Sequence, residues 1–295
     1  MDSLYAYANA KINLALDVTG KRPDGYHDIR TVMQSVALKD TLSMRKLFTP
    51  QIKICTNLKW LPVDERNLVY KAAKVLFDKF QPEDGIFIEI DKQIPVSAGL
   101  GGGSADCAAA LCGISKLFNF PISQNELLEI GKSLGADIPF CIIKGTALAE
   151  GIGEILTPLP PCPDCFIVIA KPPLCISTAD VFRQFKMENV AQRPNIDNMI
   201  EGISDSDIGK VAGNLCNVLE SVTAKEFPII GKIKDIMNES GAIGSLMSGS
   251  GPSVFGLFAN KQTAYNSLSR LKNDLSIKEV HLTNLFNPGK RNYYE

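Results

Sequence analysis

The sequence predicts an α+β protein built from two packed halves, and three observations support this. Its 295 residues lie near the upper limit of roughly 250 to 300 residues that one hydrophobic core usually fills. Strand-period and helix-period segments follow one another along the chain. A cluster of prolines at 158, 160, 161 and 163 interrupts that pattern and marks a boundary between residues 1–160 and residues 161–295.

The elements follow in order. Residues 10–18 alternate, with Ile12, Leu14, Leu16 and Val18 on one face of a strand and Lys11, Asn13 and Asp17 on the other. Lys11 and Asn13 therefore point the same way. Lys21-Arg22-Pro23-Asp24-Gly25 carries a strong turn signal and presents Tyr26 and His27 just beyond it. Residues 67–80 read as a helix through Leu68, Ala72, Val75, Leu76 and Phe80, and residues 86–90 as a strand. A glycine-rich run follows and feeds a helix over 105–118, with Ser104 as its N-cap and Ala108, Leu111, Cys112, Ser115 and Phe118 on one side.

Residues 124–134 form a further helix through Leu127, Leu128 and Ile130, ended by Gly135. Beyond the prolines, 166–170 reads as a buried-type strand. Next come a helix over 227–240, strands at 242–247 and 254–258, a helix over 262–271 and a strand at 278–282. The polar tail, 287–295, is expected to fray.

Composition removes several function classes. Lys and Arg number 31 against 32 Asp and Glu, for a net charge of −1 with no basic arm, which argues against a nucleic-acid partner. The N-terminus lacks the layout of a signal peptide, and no apolar run reaches the roughly 20 residues of a membrane span, so a cytoplasmic enzyme is expected. Eight scattered cysteines read as small buried hydrophobes. Cys162-Pro-Asp-Cys165 is the one C-x-x-C, and with only His27 and His281 beside it no protein-held metal is expected. No heptad seam stands out, so oligomeric state stays open.

The glycine run carries the clearest chemistry. Gly99, Gly101, Gly102 and Gly103 can take positive φ and let main-chain N–H groups converge on an anion at a helix N-terminus. No Gly-Lys-Ser/Thr ends the loop, and position 104 is serine where a dinucleotide fingerprint needs glycine. A nucleotide held there needs a group to deprotonate an acceptor and a cation to balance charge, for which Asp137 and Lys11 are candidates. Asp137, set among Gly135, Ala136, Ile138, Pro139 and Phe140, reads either as a partnered buried acid or as an N-cap. Asn13 reads as a core-edge residue or a ligand. Tyr26 and His27 read as surface residues or a platform for a base, and Ser248-Gly249-Ser250-Gly251-Pro252-Ser253 as a hairpin or a second wall near phosphates.

Three of these segments, in order, resemble the motifs of the GHMP small-molecule kinases: the Lys11 strand, Pro95-Val96-Ser97-Ala98-Gly99-Leu100-Gly101-Gly102-Gly103-Ser104-Ala105-Asp106, and Ser248 to Ser253. Within that superfamily, Ala10-Lys11-Ile12-Asn13-Leu14, Arg22-Pro23-Asp24-Gly25-Tyr26-His27 and Gly135-Ala136-Asp137-Ile138-Pro139-Phe140 are similar to the branch that phosphorylates a cytidine-diphosphate-linked methylerythritol for isoprenoid (terpenoid) precursors.

The resemblance implies a half like ribosomal protein S5 domain 2 followed by a ferredoxin-like half. It implies ATP as phosphoryl donor with Mg²⁺, whose protein ligands it does not identify here. Asp137 would be the base and Lys11 its orienting partner, with Asn13 at the erythritol end. Tyr26 and Phe182 would sandwich the cytosine, His27 would read its edge, and Thr178 would line the same pocket. Pro95, Val96, Ser97, Ala98, Gly99, Leu100, Gly101, Gly102, Gly103, Ser104 and Ala105 would hold ATP phosphates, with Asn67 near the adenine. The chain departs from the usual pattern at Ser97, where glycine is common, and at Ala105, where a second serine is frequent. Members acting on homoserine or mevalonate share the loop but not the aromatic pocket.

Overall fold

The computed structural model describes residues 2–288. Two long strands, β1 (Ser3–Lys21) and β2 (His27–Leu47), form an antiparallel hairpin around the Pro-Asp-Gly turn, closed by the Arg22 N–H donating to the Tyr26 carbonyl at 2.8 Å. The strand expected over 10–18 is thus the middle of a longer one. β2 escapes an alternation test because Val32, Met33, Gln34, Ser35 and Val36 are buried in succession, as in a strand covered on both faces.

Irregularities in β1 fall between Asn9 and Lys11, Asn13 and Ala15, and Val18 and Gly20. The one after Asn13 resets which face successive side chains occupy. Ile12, Leu14 and Ala15 therefore enter one core while Leu16 and Val18 enter another. The single apolar face expected for Ile12, Leu14, Leu16 and Val18 is corrected accordingly.

The chain continues through β3 (Ile52–Thr56), α1 (Leu68–Phe80), β4 (Gly85–Asp91), α2 (Gly102–Leu117), α3 (Gln124–Leu134), α4 (Ile138–Ile143), β5 (Thr146–Glu150) and β6 (Ile155–Pro158). Next come β7 (Phe166–Lys171), α5 (Thr178–Gln184), α6 (Ile196–Ser204), α7 (Ile208–Gly213), β8 (Cys216–Asn217) and α8 (Glu220–Glu226). Finally there are α9 (Ile229–Glu239), β9 (Gly244–Met247), β10 (Val254–Phe258), α10 (Lys261–Asp274) and β11 (Glu279–Asn284). The first sheet runs β3-β4-β2-β1-β8, with β5 on β2 and β6 on β5. The second runs β11-β7-β10-β9 with every neighbour antiparallel, which is the ferredoxin-like order.

The sheets change over at the prolines, and β8 returns to pair in parallel with β1 at Ala15 and Leu16. Of the polar tail, residues 289–295 lie outside the described residues. Asn287, expected to fray, is instead buried, and its Nδ2 donates to the Cys162 carbonyl at 3.3 Å.

Helix α2 is the centre of the first core. It was expected to show one apolar side, yet Ala105 through Leu111 are all buried, because α1, α4 and the β1–β2 hairpin enclose it. It also starts earlier than expected. Gly101, at φ +67°, is the N-cap and Ser104 lies in the first turn, with no side chain capping the free N–H groups. That start is left open to a ligand.

Candidate active site

A cleft of about 1100 Å³ is walled by β1, the hairpin turn, both glycine loops and α5. It collects Lys11, Asn13, Tyr26, His27, Asn67, Asp137, Thr178 and Phe182. The glycine run lines it at Pro95, Val96, Ser97, Ala98, Gly99, Gly101, Gly102, Gly103 and Ser104. Leu100 and Ala105 do not: both side chains are buried in the core, and the Leu100 carbonyl accepts the Lys11 N–H at 2.9 Å. A serine at 105 would therefore start from a core position.

Lys11 Nζ lies 3.5 Å from Asp137 Oδ2 and donates to Asn13 Oδ1 at 2.7 Å. Asn13 Nδ2 donates to Thr31 Oγ1 at 2.9 Å, and that hydroxyl donates to the Ala15 carbonyl at 2.6 Å. This chain fixes which end of the Asn13 amide faces Lys11. Asp137 occupies the N-cap position of α4 but makes no cap hydrogen bond. Its side chain turns to the cleft instead. It is 33% exposed, which corrects the expectation of a buried acid, whereas Lys11 is 7% exposed.

Two positions in the first loop require glycine. A Cβ on Gly99, at φ +73°, would lie 2.2 Å from the Ser248 carbonyl oxygen, and one on Gly101 would lie 2.9 Å from Lys11 Cγ. Ser97, by contrast, takes φ +52° without being glycine. A left-handed serine costs about 1 kcal/mol, which accounts for the glycine common there in similar loops.

The second loop joins β9 to β10 as a hairpin and also docks on the first loop. Ser248 Oγ donates to the Gly99 carbonyl at 2.9 Å, and the Ser253 N–H to the Ala98 carbonyl at 3.3 Å. Asn217 Nδ2 donates to the Met247 and Gly249 carbonyls, each at 2.8 Å. The hairpin reading of Ser248 to Ser253 holds, and its tip packs against the first glycine loop.

At the other end of the cleft, His27 packs on Phe182 with ring centroids 5.4 Å apart, and edge-on to Phe185. Burial, and then the charge of Lys21, lowers the His27 imidazole below its usual value. At neutral pH it therefore offers one donor and one acceptor nitrogen. Tyr26 stands 61% exposed beside it, with a free ring face. Thr178 Oγ1 and Ser250 Oγ are 2.8 Å apart, joining α5 to the second loop. Asn67 caps α1, its Oδ1 accepting the Val69 N–H at 2.9 Å and its Nδ2 donating to the Pro62 carbonyl at 2.8 Å.

Sequence reasoning missed a buried trio beneath the first loop. Lys92 Nζ donates to Asp40 Oδ2 at 2.5 Å and to Asp106 Oδ2 at 2.7 Å. Asp40 Oδ1 accepts the N–H groups of Gln93 at 2.5 Å and Ile94 at 2.7 Å. The trio ties β2 to the start of the loop and to α2, where the loop ends. The available signal was Asp106 itself, an acid amid the alanines of a buried helix.

Asp106 is 5% exposed and its Oδ1 has no hydrogen-bond partner. Burial holds its carboxyl well above the usual range, against the pull of Lys92 and with the repulsion of Asp40. A carboxyl whose folded-state pKa is raised stabilises the fold below its unfolded value, near 4, and loses that contribution as pH rises toward the folded value. Wild-type stability should therefore decline relative to Asp106→Asn as pH rises above about 4, read from denaturant midpoints across a pH series. Parallel curves for the two proteins would contradict this assignment.

Cys162 and Cys165 are free, and burial pushes both thiols up to about 12, so neither is a thiolate at neutral pH. Among the described residues, no group of three or more His, Cys, Asp or Glu is placed to hold a metal ion. Nor is any of their helices long and apolar enough to cross a membrane.

With an open helix start, two interlocked glycine loops and a lysine–carboxylate pair in one cleft, the chain belongs to the GHMP kinase family of small-molecule kinases, as its family matches and relatives show. The GHMP kinases N terminal domain matches residues 67–145 and the GHMP kinases C terminal domain residues 190–277. The α+β fold is the GHMP kinase fold.

Among similar proteins is the 4-diphosphocytidyl-2-C-methyl-D-erythritol kinase of Lachnoclostridium phytofermentans, 47% identical over 97% of this chain and 98% of its own length. The kinase of the same name from Caldicellulosiruptor saccharolyticus is 49% identical over 94% of each. A crystal structure of 4-(cytidine 5'-diphospho)-2C-methyl-D-erythritol kinase superposes with a TM-score of 0.82 at 29% identity, covering 95% of this chain and 98% of that one. Homoserine kinase from Cytophaga hutchinsonii, at TM-score 0.77 and 21% identity over 97% and 95%, shares the fold.

Proposed function

We propose that this chain transfers the γ-phosphoryl group of ATP to the 2-hydroxyl of 4-diphosphocytidyl-2-C-methyl-D-erythritol, giving the 2-phosphate and ADP in non-mevalonate isoprenoid precursor synthesis. The observation that carries the reading is one cleft holding the Lys11–Asp137 pair, the glycine loops and the Tyr26–His27–Phe182 cluster. Near-full-length relatives of that name support it.

ATP would supply the phosphoryl group, and Mg²⁺ arriving with it would offset negative charge on the phosphates; no protein ligands for it are identified among the described residues. The residues present fit a triphosphate: α2 starts with uncapped N–H groups and carries no acid in its first turn. Main-chain N–H groups of the cleft-lining part of the loop, Pro95 to Ser104 apart from Leu100, with the second loop against them, hold the phosphates, and Asn67 stands at the adenine end. Asp137 accepts the proton of the attacking hydroxyl. Lys11 orients that carboxylate and offsets negative charge at the transferred group, while Asn13, fixed by Thr31, touches the erythritol. Tyr26 and Phe182 clamp the cytosine, His27 reads its edge with a donor and an acceptor, and Thr178 lines the same pocket.

Residues 1–160 then carry the phosphate loop and the proton-accepting pair, and residues 161–295 contribute α5 and the second loop. A net charge of −1 without a basic stripe fits a cytoplasmic enzyme acting on small molecules rather than on nucleic acid or membrane.

The reading is tested by NMR of the product. The new phosphate is expected on the carbon that bore the 2-hydroxyl, and phosphate on another hydroxyl would overturn the assignment. Tyr26→Ala should weaken binding of the cytidyl substrate by about 1 to 3 kcal/mol while leaving ADP binding alone, as calorimetry can measure. Unchanged acceptor affinity would remove Tyr26 from the clamp.

A further inference from the structure

Five side-chain cations line the cleft: Lys11, Lys21, Arg66, Lys92 and Arg183. Four are matched by carboxylates. Lys11 faces Asp137 at 3.5 Å, Arg66 binds Asp64 at 2.7 Å, Lys92 lies between Asp40 and Asp106, and Arg183 binds Asp180 at 2.5 Å. Lys21 has no carboxylate partner and no side-chain hydrogen bond among the described residues. The neighbouring acids Asp24 and Asp28 are both taken by Arg22.

The register of the hairpin places Lys21 directly opposite His27. Residues directly opposite in an antiparallel pair project from the same face, so the Lys21 stem rises beside the imidazole. The depression of the His27 imidazole by the Lys21 charge is consistent with that proximity. Lys21 is exposed at the cleft wall beside the His27 and Phe182 rings, so its ammonium is free to pair with an anion brought into the cleft. The acceptor brings one, since its two phosphates link the cytidine to the methylerythritol, adjoining the nucleoside that His27 and Phe182 receive. The phosphates of ATP are met instead by main-chain N–H groups at the start of α2.

We propose that Lys21 is the cation that pairs with the diphosphate of the acceptor, making it a specificity-determining residue that selects a cytidine diphosphate ester over an uncharged cytidine compound. The proposal rests on the cytidyl reading given above. Lys21 takes no part in proton transfer and acts on affinity alone.

Calorimetric titration of CDP and of cytidine into the wild type, Lys21→Gln and Lys21→Arg tests it. The wild type should prefer CDP. Lys21→Gln should lose about tenfold in CDP affinity, the scale of one hydrogen bond to a charged group, with cytidine binding unchanged. Lys21→Arg should keep most of the CDP affinity. A CDP-to-cytidine ratio in Lys21→Gln equal to that of the wild type overturns the proposal, as does an equal loss for both ligands, which would mark a structural role. If the wild type binds neither ligand, the cytidyl reading itself fails and the proposal falls with it. A wild type that binds both, with an unchanged ratio in the variant, overturns the proposal alone.

Discussion

Asp137→Asn is expected to lower turnover by a hundredfold or more while ADP affinity stays near that of the wild type. The substitution keeps size and polarity but removes the carboxylate proposed to accept the hydroxyl proton, and general-base catalysis typically contributes 10²- to 10⁴-fold. Stability should change little, because the carboxylate is a third exposed and makes no cap hydrogen bond to α4. Steady-state turnover alongside ADP calorimetry checks both halves of the expectation. Turnover within a few-fold of the wild type would remove Asp137 from the base role and leave Lys11 facing a merely structural partner.

Lys92→Met has the largest expected effect on stability, a loss of about 3 to 5 kcal/mol. The change leaves Asp40 and Asp106 facing one another in the interior without their cation. Asp106 can relieve part of the repulsion by taking up a proton. Asp40 Oδ1 accepts two main-chain N–H groups, which tie its position to theirs. Those N–H groups belong to Gln93 and Ile94 at the entry to the glycine loop, so a displaced Asp40 would also weaken nucleotide binding. Denaturant midpoints measure the first effect and ADP titration the second. A loss below about 1 kcal/mol would show that the trio is not what holds the loop.

Much of this was legible in the residues. The helix over 124–134 matches α3 to the residue, because a capping box at Ser123 and Glu126 starts it and Gly135 ends it. The strand over 254–258 matches β10 for a comparable reason, bounded by Pro252 and Ser253 before it and Asn260 after it. Lys11 and Asn13 do share a direction, as their period requires.

The failures have physical causes. Over residues 31–36 β2 is buried on both faces, so that stretch carries no alternation, and the irregularity after Asn13 sends Leu16 and Val18 to a second core without any mark in local composition. Ser104 is a favoured N-cap residue, but Gly101 supplies the left-handed entry and the helix begins before the serine is reached. The Lys92 trio draws partners from positions 40 and 106, and separations of that length leave no local pattern. The interlocking of the two glycine loops is invisible for the same reason, since Ser248 meets Gly99 only once the second sheet has closed against the first.

The central claim is that the cleft phosphorylates a cytidyl-linked alcohol. It is tested most directly by coupled ADP release from the purified protein with ATP and, in parallel, 4-diphosphocytidyl-2-C-methyl-D-erythritol, homoserine and mevalonate. ADP release is expected with the cytidyl substrate and only background release with the other two. Release driven by homoserine or mevalonate, with the cytidyl compound inert, would contradict it.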